Sequence, residues 1–193
     1  EERGELDRTL IVLTSDHGEM LGDRQRYQKH FPYEGSAHIP RIACGPGFEG
    51  GEVVNELVSL IDLPPTVVQQ GDVEPPASMR GRPLQPLAAG DPPSDWKDDV
   101  FIQISEDHIG RALRTQRWKY EVWVPPSEKN GSSVPGSDRY NERYLYDLDA
   151  DPFEKNNLIA HPDYTDVRTD LAERLKRRMV QAGEKAPEIQ PLG

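Results

Sequence analysis

An unbroken apolar run near the start of the chain constrains its fold more than any other feature. Leu10 to Leu13 are consecutive apolar residues, and the polar segment Ser15-Asp16-His17-Gly18 follows almost at once. Short continuous apolar runs are typical of strands covered on both faces, as in a parallel sheet between helix layers. The run therefore predicts an α/β fold with polar side chains at the carboxyl end of its first strand.

The next elements fit the same fold class. Ile39 to Cys44 predicts a second short strand, and the apolar residues from Leu57 onward predict a helix that has Pro64-Pro65 in its first turn and ends at Gly71. Residues 73–95 are rich in Pro, Gly and small polar residues, which predicts a linker. We therefore divide the chain into an α/β part (residues 1–72), a linker (73–95) and a C-terminal part (96–193).

The last part of the chain predicts a smaller α+β unit. Strand-like segments at 100–104, 112–113, 118–124 and 144–148 indicate an antiparallel meander, with a mobile loop over residues 125–141. Val167, Leu171, Leu175 and Met179 recur every four residues, which predicts an amphipathic helix that covers one face of the sheet and stops near Gly183.

Composition excludes several classes of protein. The 193 residues carry a formal net charge of −11, which argues against binding nucleic acid or an anionic membrane by bulk attraction. No stretch approaches the roughly 18 apolar residues of a membrane span. Cys44 is the single cysteine, which excludes a disulfide framework, and we expect it to be a small buried apolar residue. The first residues show no targeting signal.

The polar segment after the first strand offers two metal ligands. Asp16 supplies a carboxylate and His17 an imidazole, while Gly18 allows a sharp turn, so both side chains can converge at the end of the strand. The alternative is that Asp16 caps a helix beginning at Glu19 and that His17 is merely half-buried. The residues alone leave both interpretations open.

Lys29 adds a cationic group that can bind an anion. An ammonium group beside a divalent cation can bind the oxygens of one tetrahedral anion and neutralise charge on a leaving oxygen. By itself Lys29 also fits a solvated surface lysine, and His30 and His38 fit surface or partly buried histidines.

Several motifs together carry a family resemblance. The run from Ser15 to Asp23, then Lys29, Tyr33-Glu34-Gly35-Ser36 and Ile39-Pro40, resembles the later part of the type I sulfatases, the arylsulfatase family of the alkaline phosphatase superfamily. The resemblance continues through "LVSLIDLPPTVVQQGDV", "MRGRPLQPLAAG", "LRTQRWKYEVW" and "LYDLDADPFEKNNL". It covers the chain nearly end to end.

The resemblance implies both a fold and a set of site residues. It implies that residues 1–72 are the C-terminal part of an alkaline-phosphatase-like mixed sheet, followed by a small antiparallel sheet with a C-terminal helix. Asp16 and His17 correspond to two ligands of a divalent cation, usually Ca²⁺, although the imidazole also suits Mn²⁺ or Zn²⁺. Lys29 corresponds to the catalytic lysine that binds the sulfate ester, and His38 to a substrate-binding position where other members carry arginine. Arg24 departs from the family pattern, since many members carry a histidine there.

The family's nucleophile and its remaining metal ligands are not in this chain. The resemblance implies a formylglycine made within Cys/Ser-x-Pro-x-Arg, and Phe48 stands where the motif-like segment from Cys44 needs arginine. We therefore predict the C-terminal portion of a sulfatase that is inactive alone, that acts on sulfate esters, and that associates with its own N-terminal portion or with a second copy. A phosphonate or phosphodiester hydrolase and a non-catalytic sulfatase-like binding module are the alternatives.

Two further expectations concern the location of the protein and a row of arginines. A periplasmic or extracellular location follows from the family resemblance alone. Arg111, Arg114 and Arg117 recur in a way that suggests one face of a sheet, where they would meet a sulfated polymer or simply be solvated.

Overall fold

The computed structural model describes residues 3–126 and 136–192. It contains two compact units, each built from two segments of the chain. The first comprises Glu1–Asp16 and Ile39–Asp98, and the second comprises His17–His38 and Asp99–Gly193. The boundary between the first segments of the two units falls between Asp16 and His17.

The first unit contains a two-stranded antiparallel sheet and two helices. Strand β1 (Ile11–Thr14) pairs with β2 (Arg41–Cys44), with Ile11 opposite Cys44 and Leu13 opposite Ile42. The helices are α2 (Leu63–Gln70) and α3 (Gln85–Ala88), and 3₁₀ turns occupy Leu6–Arg8 and Leu60–Asp62. Prolines occupy the first turn of α2 and Gly71 follows its end, so the predicted helix is confirmed. The unit's small core contains Phe48, Leu84, Leu87, Leu10, Ala43, Val58, Ala88 and Trp96.

The surroundings of β1 differ from the prediction. The strand forms where the apolar run predicted it, but its described partner is antiparallel, and one face of the pair is open to solvent. Ile11 is 52% exposed, Leu13 60% and Ile42 62%, and Cys44 is an exposed free cysteine. Because directly opposed residues share a face, these four residues form one surface, which we call the open face. The expectation of a buried Cys44 is therefore wrong: alternation along β2 places it on the uncovered side.

Asp62 holds together the turn that precedes α2. Its side chain is fully buried and accepts hydrogen bonds from the backbone N–H groups of Ser59 (2.7 Å) and Arg82 (3.0 Å), and it forms an ion pair with Lys97. A buried carboxylate is tolerated when its oxygens are satisfied in this way. The linker-like residues 73–95 are thus tied to α2 through Asp62 and Arg82.

The second unit is dominated by a five-stranded mixed sheet in the order β3-β4-β5-β6-β7. Its strands are β3 (Asp99–Ile104), β4 (Gly110–Thr115), β5 (Trp118–Trp123), β6 (Arg139–Asp147) and β7 (Glu188–Gln190). The first four pair antiparallel, which confirms the predicted meander. The three-residue β7, parallel to β6, was not predicted because it is too short to show a pattern.

The C-terminal helix forms where its apolar spacing predicted it. A 3₁₀ turn (Pro162–Tyr164) leads into α4 (Thr165–Gln181), and Gly183 follows with a left-handed φ of 94°. Leu171, Leu175 and Met179 are buried against sheet residues such as Leu113 and Tyr120. The helix therefore covers one face of the sheet, which matches the predicted small α+β unit.

The loop predicted over residues 125–141 is only partly testable. Residues 127–135 lie outside the described residues, and the prediction for them stays a prediction. Strand β6 already begins at Arg139, so the last residues of that stretch form sheet instead.

Candidate functional site

The segment after β1 is held by a close backbone approach at Gly18. Its N–H donates to the carbonyl oxygen of Ser36 (2.8 Å), and a Cβ at residue 18 would lie 2.1 Å from the carbonyl oxygen of Gly35. Residues 35 and 36 belong to the short helix α1 (Glu34–Ala37), which ends at His38. Glycine at position 18 therefore brings the backbone next to His17 against the helix that precedes His38.

The His17 ring is oriented by its own neighbour. Its Nδ1 lies 2.6 Å from the carbonyl oxygen of Gly18, and a carbonyl can only accept, so Nδ1 carries the proton. The lone pair of the neutral ring is then on Nε2. Histidines that bind metals commonly donate their other ring N–H to such an acceptor, so this orientation suits a metal ligand.

Asp16 does not cap a helix. It is exposed and is the last residue of its segment of the first unit. The chain beyond it forms a tight hairpin, in which the N–H of Met20 donates to Gln28 (3.2 Å) and that of Gly22 to Arg26 (2.8 Å), around a 3₁₀ turn at Asp23–Gln25. Helix capping, the alternative interpretation of Asp16, is therefore wrong.

Lys29 is exposed at the end of this hairpin. Among residues 3–126 and 136–192 its ammonium group makes no ion pair. The preceding Gln28 is fixed by hydrogen bonds of its backbone to Met20 and Glu19, which anchors the chain next to Lys29. His30 contacts the side-chain oxygen of Gln28, consistent with a local structural role.

His38 lies at the C-terminal end of α1 and is 74% exposed at its side chain. Its Nδ1 lies 3.2 Å from Oε2 of Glu34, four residues earlier on the same helix. The predicted substrate-binding histidine is thus accessible and has a carboxylate partner.

Glu34 belongs to a buried ionic cluster that sequence reasoning did not identify. Lys119 on β5 is 1% exposed, and its Nζ lies 2.6 Å from Oε1 of Glu34 and 2.7 Å from Oε1 of Glu154. The second oxygen of Glu154 accepts from the backbone N–H of Glu34 (2.7 Å), and Arg114 on β4 contacts Glu34 at 3.3 Å. No spacing along the chain links these residues. The one available signal is that Lys119, like Glu121, is a charged residue among the aromatic and aliphatic residues of β5.

The pKa values of the two carboxyl groups of this cluster are shifted in opposite directions. At Glu34 the effect of burial is outweighed by the charges and hydrogen bonds of Lys119 and Arg114, so the pKa of this carboxyl is lowered. At Glu154 burial prevails over the attraction of Lys119, so its pKa is raised. Glu34 therefore carries its negative charge more readily than an ordinary glutamate.

Arg24 is anchored among tyrosines. Its guanidinium lies 4.5 Å from the ring centroid of Tyr33 and 3.4 Å from the hydroxyl of Tyr146, and it donates to the backbone carbonyl of Phe153 (3.3 Å). It borders an open cavity of about 520 Å³ that Tyr144 also lines, and burial raises the pKa of Tyr144 to about 12. Arg24 thus packs within the second unit.

The three arginines of the β4–β5 region do not form a common exposed face. Arg111 is 1% exposed and bonded to Glu184 (2.7 Å), Arg114 contacts Glu34, and Arg117 binds Asp147. The suggestion of a basic face for a sulfated polymer is therefore wrong, since these side chains serve separate ion pairs.

The donor groups of Asp16 and His17 fit part of a divalent-cation site. Within the described parts of the chain, no group of three His, Cys, Asp or Glu side chains converges to hold a metal. A carboxylate followed by an imidazole with Nδ1 protonated could supply two ligands of a larger set. The carboxylate suits Ca²⁺ or Mn²⁺, whereas the imidazole suits Mn²⁺ or Zn²⁺ better than Ca²⁺.

Comparison with known proteins identifies the family. A family model described as "N-sulphoglucosamine sulphohydrolase, C-terminal" matches residues 22–181. The chain belongs to this family. Chicken arylsulfatase K is 33% identical over 168 residues, which cover 82% of this chain and 29% of the relative. The chain thus spans about a third of the length of the curated relatives that it matches.

Solved structures of the alkaline phosphatase superfamily share the fold of this chain. The phosphonate monoester hydrolase of Agrobacterium radiobacter is 30% identical with a TM-score of 0.76, covering 93% of this chain and 36% of that one. A structure described as a complex with its substrate D-glucosamine-2-N,6-O-disulfate is 26% identical with a TM-score of 0.77, covering 94% and 36%. The predicted family and fold class are confirmed.

Throughout residues 3–126 and 136–192, no helix combines the length and apolar character needed to cross a lipid bilayer.

Proposed function

We propose that this chain is the C-terminal portion of a hydrolase of sulfate esters and carries part of an active site that an upstream portion completes. The observation that carries the proposal is the match of a sulfatase C-terminal family model to residues 22–181. The share of relatives and solved structures that the chain covers, about a third in each case, supports the need for an upstream portion.

Asp16 and His17 are the residues that would hold a divalent cation, Ca²⁺ or alternatively Mn²⁺ or Zn²⁺, together with upstream aspartates. A bound cation supplies positive charge that stabilises the oxygens of the ester during displacement. The hydrogen bond from Nδ1 of His17 to Gly18 supports this role, because it leaves Nε2 as the basic nitrogen.

Lys29 and His38 are the residues that we assign to the sulfate group. The exposed ammonium of Lys29 can donate to two sulfate oxygens and neutralise charge as the ester bond breaks. When its ring is charged, His38 can donate a second hydrogen bond from Nε2 where other members use arginine. The nucleophile, a formylglycine, belongs to the upstream portion.

A turnover comparison tests this function. The complete protein, with its upstream portion and its matured nucleophile, is expected to release sulfate from 4-nitrophenyl sulfate or from a sulfated glucosamine, whereas the isolated chain releases none. The glucosamine substrate is chosen because of the substrate named for the 26% identical structure. Robust turnover by the isolated chain would contradict the divided site, and a complete protein inactive on every sulfate would favour a binding module.

Phosphonate ester hydrolysis is the second candidate reaction. It is supported by the 30% identity to a phosphonate monoester hydrolase and by the tetrahedral anion that both reactions share. Assaying a phenyl phosphonate monoester beside the sulfate ester separates the two: the sulfatase proposal expects the larger kcat/KM for sulfate.

Paramagnetic broadening tests the metal ligands independently of activity. Mn²⁺ added to the isolated chain is expected to broaden the ring signals of His17 before those of His161, which lies in the second unit at the start of the C-terminal helix. An Asp16→Ala variant should reduce the broadening at His17. Equal broadening of both rings would contradict the assignment.

Membership of the sulfatase family leads us to propose a periplasmic or extracellular location.

A further inference from the structure

His38 is an exposed histidine with one ring nitrogen beside a carboxylate. Its side chain is 74% exposed, yet Nδ1 lies 3.2 Å from Oε2 of Glu34. An ionised carboxylate only accepts hydrogen bonds, so we expect a neutral ring beside it to carry its proton on Nδ1. The remaining nitrogen, Nε2, then has a defined role as acceptor, or as donor when the ring is charged.

Glu34 itself is held by three groups outside its own helix turn. Lys119 contacts Oε1 at 2.6 Å and Arg114 contacts Oε2 at 3.3 Å, while Glu154 accepts from the backbone N–H of residue 34 at 2.7 Å. Lys119 is 1% exposed, Glu154 3% and the side chain of Glu34 21%, so the contact between Lys119 and Glu34 is largely shielded from water. Charge pairs are stronger when they are shielded in this way.

We propose that Glu34 is a positioning residue for His38, and that Lys119 holds Glu34 in that position from the strand beneath it. The chain of contacts runs from buried Lys119 through Glu34 to the exposed ring of His38. The inference deepens the proposed function, because His38 is there assigned to the sulfate group, but the geometry of the three residues stands without that assignment.

A direct test reads the tautomer of His38. In the isolated chain at a pH of about 8.5, where histidine rings are generally neutral, ¹⁵N chemical shifts of the imidazoles report which nitrogen carries the proton. We expect His38 to be protonated at Nδ1. His161 provides the internal control, since its Nδ1 accepts from the N–H of Asp163 at 3.3 Å and its proton is expected on Nε2. The Nε2–H tautomer at His38 would overturn the inference.

Variants test the two steps of the contact chain. Glu34→Ala is expected to release the His38 tautomer preference, whereas Glu188→Ala, which removes an exposed partner of Arg139 on β7, is expected to leave it unchanged. Lys119→Met should weaken the preference and Lys119→Arg should restore it, a rescue that general loss of stability would not produce. If Glu34→Ala keeps the wild-type His38 shifts, Glu34 does not position the ring.

A kinetic measurement separates this inference from the proposed function. In the complete protein, Glu34→Ala should raise KM for the sulfate ester more than it lowers kcat if His38 binds substrate. A released tautomer with unchanged kinetics would retain the positioning role while refuting the assignment of His38 to the sulfate group.

Discussion

Gly18 and Gly35 approach so closely that a Cβ atom on residue 18 would lie 2.1 Å from the carbonyl oxygen of residue 35. This contact joins the turn that carries His17 to the helix that ends at His38. The contact therefore connects the backbone segments of two predicted site residues, His17 and His38, that belong to different sequence motifs. Adding a methyl group at residue 18 tests its importance.

Gly18→Ala should distort the segment around His17. No side-chain movement can relieve a clash with backbone oxygen, so we expect a loss of about 1–3 kcal/mol in unfolding free energy and altered amide shifts at His17 and Ser36. Gly71→Ala is the matched control: its φ is −88° and the nearest contact of a new Cβ is an ordinary 3.5 Å. Denaturant unfolding of both variants checks the prediction, and equal stabilities would contradict it.

Lys119→Met should destabilise the protein strongly near neutral pH. The substitution leaves the buried Glu154 and the partly buried Glu34 without their ammonium partner, an effect that costs about 3–5 kcal/mol. Lys176→Met, which removes an exposed pair with Glu173 on the C-terminal helix, should cost about 0.5 kcal/mol or less.

The same substitution should change the pH dependence of stability. In the wild type, the lowered pKa of Glu34 means that its stabilisation is present above its unfolded pKa and is lost as the pH falls through the folded value. Without Lys119, Arg114 still lowers the pKa of Glu34, but the pKa of both carboxyls is higher than in the wild type, so acid costs the variant less stability. The difference between wild type and variant should therefore shrink from pH 7 towards pH 4. A constant difference across that range would show that the cluster does not depend on charge.

The fold was predictable wherever periodicity was strong. The four-residue spacing of Leu171, Leu175 and Met179 specified the C-terminal helix, and alternating apolar residues specified the meander. Pairing partners were less accessible: the apolar run at Leu10–Leu13 predicted a strand but not its antiparallel neighbour or its open face. The residues of a strand do not show which other segments of the protein pack against its faces.

The sequence motifs predicted which residues belong to the candidate site, but not which side chains contact one another. Asp16, His17, Lys29 and His38 were found from motif order, but whether they form one site stays a prediction. Glu34 appeared only as part of a motif, and the roles of Lys119 and Glu154 depend on β5 passing beneath α1, more than 80 residues later in the chain. Long-range ionic clusters of this kind leave no local pattern.

The open face of β1 and β2 predicts where the upstream portion binds. Ile11, Leu13, Ile42 and Cys44 present an apolar surface in the isolated chain, and we expect the upstream portion of the same protein to cover it. Cys44 should react readily with a thiol reagent in the isolated chain and much more slowly in the complete protein. Peptide mapping of the labelled cysteine makes the comparison, and equal labelling rates would show that this face is not the contact.

The most direct test of the sulfatase assignment is kcat/KM for sulfate-ester hydrolysis by the complete protein with and without the ammonium group of Lys29. Lys29→Ala is expected to lower kcat/KM by about 10²- to 10³-fold, the usual cost of removing a group that stabilises charge on a reacting oxygen. Lys176→Ala, on the C-terminal helix, is expected to leave it unchanged. Equal kcat/KM values for wild type and Lys29→Ala would contradict the account.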